Sequence, residues 1–538
     1  MAGITEGDAL APDVASRIDA LFASVNRPDH PGAAIAVLRN GALAHQRCFG
    51  LANVEDCVPV TPDTVFRLGS VTKHICATAM LVLENRGLLT LDDPVERYLP
   101  ELSPTVGLIT LRQLLTMTSG LQDGVILPIF AGMGAHLNIS RDQHLATLLR
   151  QSELMFAPGT RMLYSNSNYF LLSLVIERIS RRPLSEFFST EIFHPLGMQS
   201  AQLTQNPLEV VPHKAKGYVP ALSGASFDAG LFLYEASGDG GVDASIRDMI
   251  RWCANYREDR VFGPGYRDRI EAQVRFPGGR ISPYRLGLTV MEESGRTRVG
   301  HAGGMSGYLA DFGFYPEPDI AIVLLTNWMD INLLEAVDQI HDILVPRTSI
   351  HLHKPLLSTG LYTCQARRLT LHIEGDEDRT ICFMMGDRSP LVQTAADAFR
   401  PSKGTVDYEI SRGKSDAELS VTFGNGPPVS FIRWLPRDRP VVTAHYEGRY
   451  RSQLLGETHV VSAIHDGGLE VALDSPLRRL SWRTLKPLEP DWFCAPIATE
   501  PSLSNLTLHF QRDAFGRVTG FRYNTFRCRD LLFERLPR

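Results

Sequence analysis

Ser70 and Lys73 stand three residues apart in the stretch Phe66-Arg67-Leu68-Gly69-Ser70-Val71-Thr72-Lys73. On a helix, positions i and i+3 share a face, so the lysine amine lies beside the serine hydroxyl. A serine hydroxyl attacks a carbonyl only once a neighbouring base takes its proton. A lysine serves as that base when burial and nearby charge lower its pKa, and the apolar run from His74 to Leu83 supplies the burial. The tetrapeptide is not diagnostic by itself. Ser411-Arg412-Gly413-Lys414 repeats it in a polar stretch where nothing would desolvate the lysine.

Two later segments carry complementary groups. Tyr164-Ser165-Asn166 lies in a polar loop ahead of an apolar helix. The tyrosine could relay a proton and the asparagine could bind a substrate amide; alternatively, Ser165 and Asn166 simply cap the helix that follows. His301-Ala302-Gly303-Gly304 reads as a histidine and two glycines on an edge strand, where a substrate backbone can come close. The backbone N–H groups of Ser70 and Gly304 could together hold a developing oxyanion. A similar string, His465-Asp466-Gly467-Gly468, reads as a hairpin turn.

The elements that must hold these groups are readable in outline. Residues 13–26 predict an amphipathic helix, 70–86 a buried helix stopped at Gly87, and 108–117 and 167–188 two more. Asn40-Gly41 between two apolar runs predicts a hairpin. Residues 319–327 predict a buried strand, and the helix Ile331–Leu344 follows. After Pro346 the helical patterns fade into short alternating segments such as 369–373, 459–464 and 469–473, the pattern of small antiparallel β domains. That part is duplicated: Gly360-Leu361-Tyr362 returns as Gly448-Arg449-Tyr450, and Phe431 to Arg437 returns as Phe533 to Arg538. The matching starts and ends give two copies of one β fold, 360–437 and 448–538, joined by a Pro- and Arg-rich linker at 436–445.

Composition excludes several other classes. The 538 residues are 44% hydrophobic and 21% charged, which is ordinary for a globular chain of several domains. A net charge of −6 argues against non-specific binding to nucleic acid or to an anionic membrane. No apolar run is long enough to span a bilayer, and the first thirty residues contain no secretory core, so a cytoplasmic location is expected. Eight scattered cysteines without a CxxC pair read as free, mostly buried thiols rather than a metal or disulfide framework.

S-x-x-K, Y-x-N and H-x-G, in that order, resemble the serine β-lactamase and penicillin-binding protein superfamily, in its class C-like branch. The segments 66–102, 109–121, 156–180 and 192–198 are similar to that branch, and the resemblance covers nearly all of residues 30–345. It implies an α+β fold: a β-lactamase-like catalytic domain, antiparallel sheet plus helical subdomain, over 1–345. His301 stands where β-lactamases of the branch carry the lysine of K-T-G, which weakens a site for a substrate carboxylate. H-x-G instead resembles the bacterial D-aminopeptidases, whose domain plan adds two β-barrels. Here those would occupy 355–440 and 441–538.

The resemblance implies acyl transfer through an acyl-enzyme. Ser70 would be the nucleophile, Lys73 and Tyr164 would share the proton transfers, and His301 would line the strand side. Asn166, Gly303 and Gly304 would bind substrate, and no metal or organic cofactor is implied. The expected substrate is a small peptide or amino-acid amide with an N-terminal D-residue. A serine esterase, a β-lactamase-type hydrolase and a non-catalytic penicilloyl-binding protein are the alternatives. In the D-aminopeptidases a loop of the last barrel enters the site. The equivalent here is 494–505, shorter than theirs, where Glu500 is the one carboxylate that could meet a substrate ammonium. Thr289 departs from an expected asparagine. A homodimer is implied by the resemblance alone.

Overall fold

The computed structural model describes residues 6–127, 139–221, 227–231, 233–258, 261–293, 296–305, 307–345, 357–375, 380–384, 387–395, 397–401, 406–424, 426–435, 441–465, 467–474, 481–495, 506–524 and 527–537. The first domain is built on a six-stranded antiparallel sheet. Its strand order is Thr289–Glu293, Arg296–Met305, Tyr308–Tyr315, Ile320–Thr326, Ala33–Arg39, Ala42–Phe49. Strands from the start and the end of the domain therefore lie side by side at its centre, with Ala33 opposite Thr326 and Arg39 opposite Ile320.

Both faces of this centre are covered, which explains why these two strands are apolar runs rather than alternating ones. Ile35, Val37, Ile322 and Leu324 pack against Ile18 and Phe22 on one side, and against Val337 and Ile340 of the helix Leu333–Leu344. Ala34, Ala36, Val323 and Leu325 face the opposite way, towards Ile75, Met80 and Trp252. The hairpin turns at Asn40 and Gly41, both with positive φ, as its sequence predicts.

The predicted helices are present but shorter. The N-terminal one spans Pro12–Ala20. Gly69–Val71 forms a 3₁₀ turn that runs into the helix Thr72–Asn85, so Ser70 sits in the tight turn and Lys73 in the first turn of the helix. The segment 108–117 contains Leu111–Leu115, started by a capping box at Thr110 and Gln113. The segment 167–188 is two helices, Asn166–Ser180 and Leu184–Phe188, broken where Arg181 turns left-handed ahead of Pro183.

The C-terminal part forms two closed eight-stranded antiparallel barrels, from Gly360–Cys364 to Val429–Arg433 and from Gly448–Arg451 to Leu531–Arg535. The duplicated sequence marks the seam where each barrel closes. Tyr362 pairs with Arg433 across the first seam, and Tyr450 with Arg535 across the second. Both tyrosines are buried and donate to a carbonyl four residues upstream, Ser358 and Tyr446, at 2.8 and 2.7 Å. The duplication is thus a repeated closure device. All eight cysteines are free, and five are buried; Cys57 is exposed. Among the described residues, no helix is long and apolar enough to cross a membrane.

Candidate active site

The sheet and the helical part of the first domain touch where the turn at Ser70 meets the strand Arg296–Met305. The contact is backbone on backbone. Gly69 has a φ of 53°, and a Cβ there would lie 2.8 Å from the Gly304 nitrogen. A Cβ on Gly303 would overlap the Leu68 carbonyl oxygen and lie 2.9 Å from the Ser70 nitrogen. The glycines at 69 and 303 are thus required by proximity. The neighbouring strand Thr289–Glu293 pairs only as far as Gly300, where Thr289 Oγ1 also donates to the Gly300 carbonyl at 2.8 Å. Beyond that point one edge of residues 301–305 has no strand partner among the described residues, so a substrate backbone could add there. On the other side of the turn, Arg67 donates to both carboxylate oxygens of Asp243, at 2.7 and 3.1 Å, which fixes the strand leading into Ser70.

Lys73 is fully buried, and its ammonium group has three acceptors: Ser70 Oγ at 3.0 Å, Asn166 Oδ1 at 2.8 Å and the Asp239 carbonyl at 2.5 Å. Each N–H is therefore used, as a buried cation requires. Asn166 is held from behind. Its backbone N–H donates to Asp123 Oδ2 at 3.1 Å, and its side-chain Nδ2 donates to the same oxygen at 3.0 Å. Asp123 thus caps the helix Asn166–Ser180, and Ser165 makes no side-chain capping bond. The capping role that the sequence suggests for Ser165 and Asn166 belongs instead to Asp123. Asn166 has both polar ends engaged, one by Asp123 and one by Lys73.

Tyr164 is buried with its ring centroid 4.9 Å from Lys73 Nζ. Its hydroxyl has no hydrogen-bond partner among the described residues. His301 is also buried, its ring 6.0 Å from that of Tyr164. Its Nδ1 lies 2.6 Å from the Ala302 carbonyl and so carries the proton; Nε2 then accepts from the Tyr284 hydroxyl at 3.1 Å. Burial, with the Lys73 charge nearby, pulls the His301 pKa down to about 3, so the ring is neutral. Burial pushes the Tyr284 hydroxyl well up, which keeps it a donor.

The second barrel reaches this site through a segment that the sequence reading did not single out. The guanidinium carbon of Arg527 lies 4.7 Å from the Tyr164 ring centroid, and Nη1 lies 3.4 Å from Asp123 Oδ2. The chain is anchored there by Asp123 N–H to the Arg527 carbonyl at 3.3 Å, and by Gln122 Nε2 to the Arg529 carbonyl at 3.2 Å. Glu500 and most of the loop 494–505 lie outside the described residues. Ser411 is on a barrel strand, its hydroxyl bonded to the Ser420 carbonyl at 3.4 Å.

Ser70, Lys73, Tyr164, Asn166, His301, Gly303 and Gly304 are therefore brought together, and Asp123 and Arg527 join them. The set could support attack by a serine hydroxyl on an acyl carbon, with two proton-transfer groups and two backbone N–H groups at hand. Among the described residues, no three His, Cys, Asp or Glu side chains group as a metal site.

Residues 18–345 match the family model described as Beta-lactamase. Over 514 residues the chain is 26% identical to a protein named D-aminopeptidase from Gluconobacter oxydans, covering 94% of this chain and 96% of that one. Among solved structures it is similar to an octameric penicillin-binding protein homologue from Pyrococcus abyssi. That match has a TM-score of 0.57 at 24% identity and covers 78% of this chain and 99% of the other. It is also similar to the D-amino acid amidase of Ochrobactrum anthropi SV3, with a TM-score of 0.53 at 23% identity, covering 63% of this chain and 100% of the other.

Proposed function

The chain belongs to the β-lactamase family and is a serine hydrolase of that superfamily, and from that premise we propose that it is an aminopeptidase releasing N-terminal D-amino acids from short peptides, amides or esters. The observation that carries the chemistry is the buried Lys73 ammonium group held between Ser70 Oγ and Asn166 Oδ1. The similarity to a named D-aminopeptidase over 94% of the chain, barrels included, supports the substrate class.

In this reading Ser70 Oγ attacks the scissile carbonyl, and the leaving amine or alcohol departs to give an ester on Ser70. Lys73, which must first give up one ammonium proton to act as a base, and Tyr164 share the transfers, taking the Ser70 proton and returning one to the leaving group. The Ser70 and Gly304 N–H groups hold the oxyanion, each worth about 3 kcal/mol. The substrate backbone lies along the open edge of 301–305. Neutral His301 gives Tyr164 an uncharged neighbour on the strand side. Water then releases the acid and regenerates Ser70.

A second reading, a serine esterase or amidase that needs no free amine, is favoured by Arg527. It puts a cation beside Tyr164 where an ammonium substrate would be better met by an anion. Release of p-nitroaniline from D-alanine, L-alanine and N-acetyl-D-alanine p-nitroanilides separates the two. Turnover of the free D form alone supports the aminopeptidase. Turnover of the acetylated form, or of simple esters only, moves the function to a general serine esterase or amidase.

A further inference from the structure

The first domain and both barrels meet behind the Tyr164 loop. A small, partly open cavity lies there, its wall formed by Phe156, Arg161 and Leu163 of the first domain, Val406 and Asp407 of the first barrel, and Arg529 of the second. Leu163 bridges to Val406 across it. The chemistry of this wall is unbalanced. Arg161 has its guanidinium carbon 4.7 Å from the Phe156 ring centroid, and its side chain has no hydrogen bond or ion pair among the described residues. The buried Nε of Arg529 is likewise without a hydrogen-bond partner among them. The one acid on the wall, Asp407, is ion-paired with Arg280 through Oδ1, and its buried Oδ2 has no hydrogen-bond partner among the described residues. Arg280 also donates to the Gly424 carbonyl.

Grouping half-buried guanidinium ions with little compensating negative charge is unfavourable twice over. Each ion loses hydration, and each repels the other. Both effects are felt here: burial and the charges of Arg529 and Arg367 pull Arg161 down to about 10, and burial lowers Arg529 as well, against the opposing pull of Asp530. A planar guanidinium pairs best with a carboxylate or another small oxyanion.

We propose that this three-domain junction is an anion subsite in which Arg161 and Arg529 bind one carboxylate group. Its position says what it could serve. Leu163 adjoins Tyr164, and Arg529 is two residues from Arg527, which lies against Tyr164 and Asp123. A carboxylate bound there locks both barrels onto the segment that carries the candidate proton-transfer tyrosine. The group could come from the far end of a peptide substrate or from a free carboxylic acid.

The test uses the full chain. Thermal unfolding is followed in acetate and in chloride at matched ionic strength, for the wild type and for Arg161→Gln and Arg529→Gln. Acetate should raise the wild-type Tm and leave both variants unmoved. In chloride, each variant should melt no lower than the wild type, because one uncompensated charge is gone; this also shows that the variants fold. Acetate stabilising all three proteins alike, or none, overturns the proposal, as does a variant that melts lower in both salts. A second arm assigns the source and rests on the peptidase reading: KM for a short D-Ala peptide with a free C-terminus against its C-terminal amide. A preference for the free acid that falls about tenfold in the variants, the equivalent of one charge-assisted hydrogen bond, makes the substrate the source. An unchanged ratio, with the acetate response lost, makes it a free acid. No turnover of either peptide would count against the peptidase reading and leave the acetate result standing.

Discussion

Asp123 fixes which way round the amide of Asn166 lies. A carboxylate only accepts, so the NH₂ end of Asn166 must face it, and the carbonyl end then faces Lys73. Replacing Asp123 by Asn removes that constraint, because the new amide can donate or accept. Asn166 can then turn its NH₂ towards the ammonium group of Lys73. Asp123→Asn should lower kcat by roughly 10²-fold, the lower end of what a misplaced proton-transfer group costs, with a smaller change in KM. Steady-state kinetics on the best anilide or ester checks it. Asp123→Ala should in addition cost roughly 3 kcal/mol in urea unfolding, since it strips a helix cap and the buried partner of Arg527.

Ser70→Ala should abolish turnover and labelling by a fluorophosphonate, while circular dichroism stays unchanged. Ser411→Ala should leave both activities intact, because its hydroxyl is spent on the Ser420 carbonyl in a barrel strand. Labelling that survives in the first variant and vanishes in the second would reverse the assignment.

Gly303→Ala should be nearly as damaging as loss of an oxyanion donor, about 10²–10³ in kcat. The new methyl would push the strand off Leu68 and off the Ser70 nitrogen. Single-turnover acylation locates the defect: the acylation rate should fall while Lys73 and Tyr164 are chemically unaltered. A Gly303→Ala enzyme acylating at the wild-type rate would show that the close approach has no catalytic use.

His74 is fully buried, like His301, and burial pulls its pKa too down to about 3. Trp252 Nε1 donates to His74 Nδ1 at 3.2 Å, and the opposite nitrogen meets the Tyr266 hydroxyl at 3.1 Å. Unfolded histidines titrate near 6.5, so between about pH 6.5 and 3 the unfolded chain binds two protons that the folded one refuses. The stability these groups contribute is present above pH 6.5 and is lost as the pH falls through that window, by about 2.7 kcal/mol per pH unit for the pair. Urea midpoints at pH 7, 6 and 5 should show a slope shallower by about half of that in His74→Phe, over a lower baseline caused by the stranded Trp252 and Tyr266. An unchanged slope would refute the account.

Groups whose partners lie on the same helix or the same short motif were legible before the structure. Ser70 and Lys73 share a turn; the Asn40-Gly41 hairpin and the two barrels announce themselves through turn chemistry and repeated ends. Asp123 and Arg527 were not legible, because their importance comes from each other, from Asn166 in the case of Asp123 and from Tyr164 in the case of Arg527, contacts between residues far apart in the chain that leave no local pattern. Asp123 has one readable trace, a carboxylate two residues beyond Leu121, where the segment 109–121 that resembles the class C-like branch ends. The seam residues Tyr362 and Tyr450 were visible as a repeat, but why they recur needed the closed barrels.

The central strand Ala33–Arg39 finds one partner at once, in the hairpin with Ala42–Phe49, and must wait for the other until Ile320–Thr326 has been made. Joining them closes most of the first domain into a single loop, an entropic toll that grows slowly with length but has to be met before any contact across it gives a return. Ser70 lies inside that loop and Gly304 close to its far end, so the proposed nucleophile can take up its helical turn before the strand that completes its surroundings is in place. Refolding from denaturant should therefore recover helix first and activity last, with the two separated by the time the sheet takes to find its own beginning.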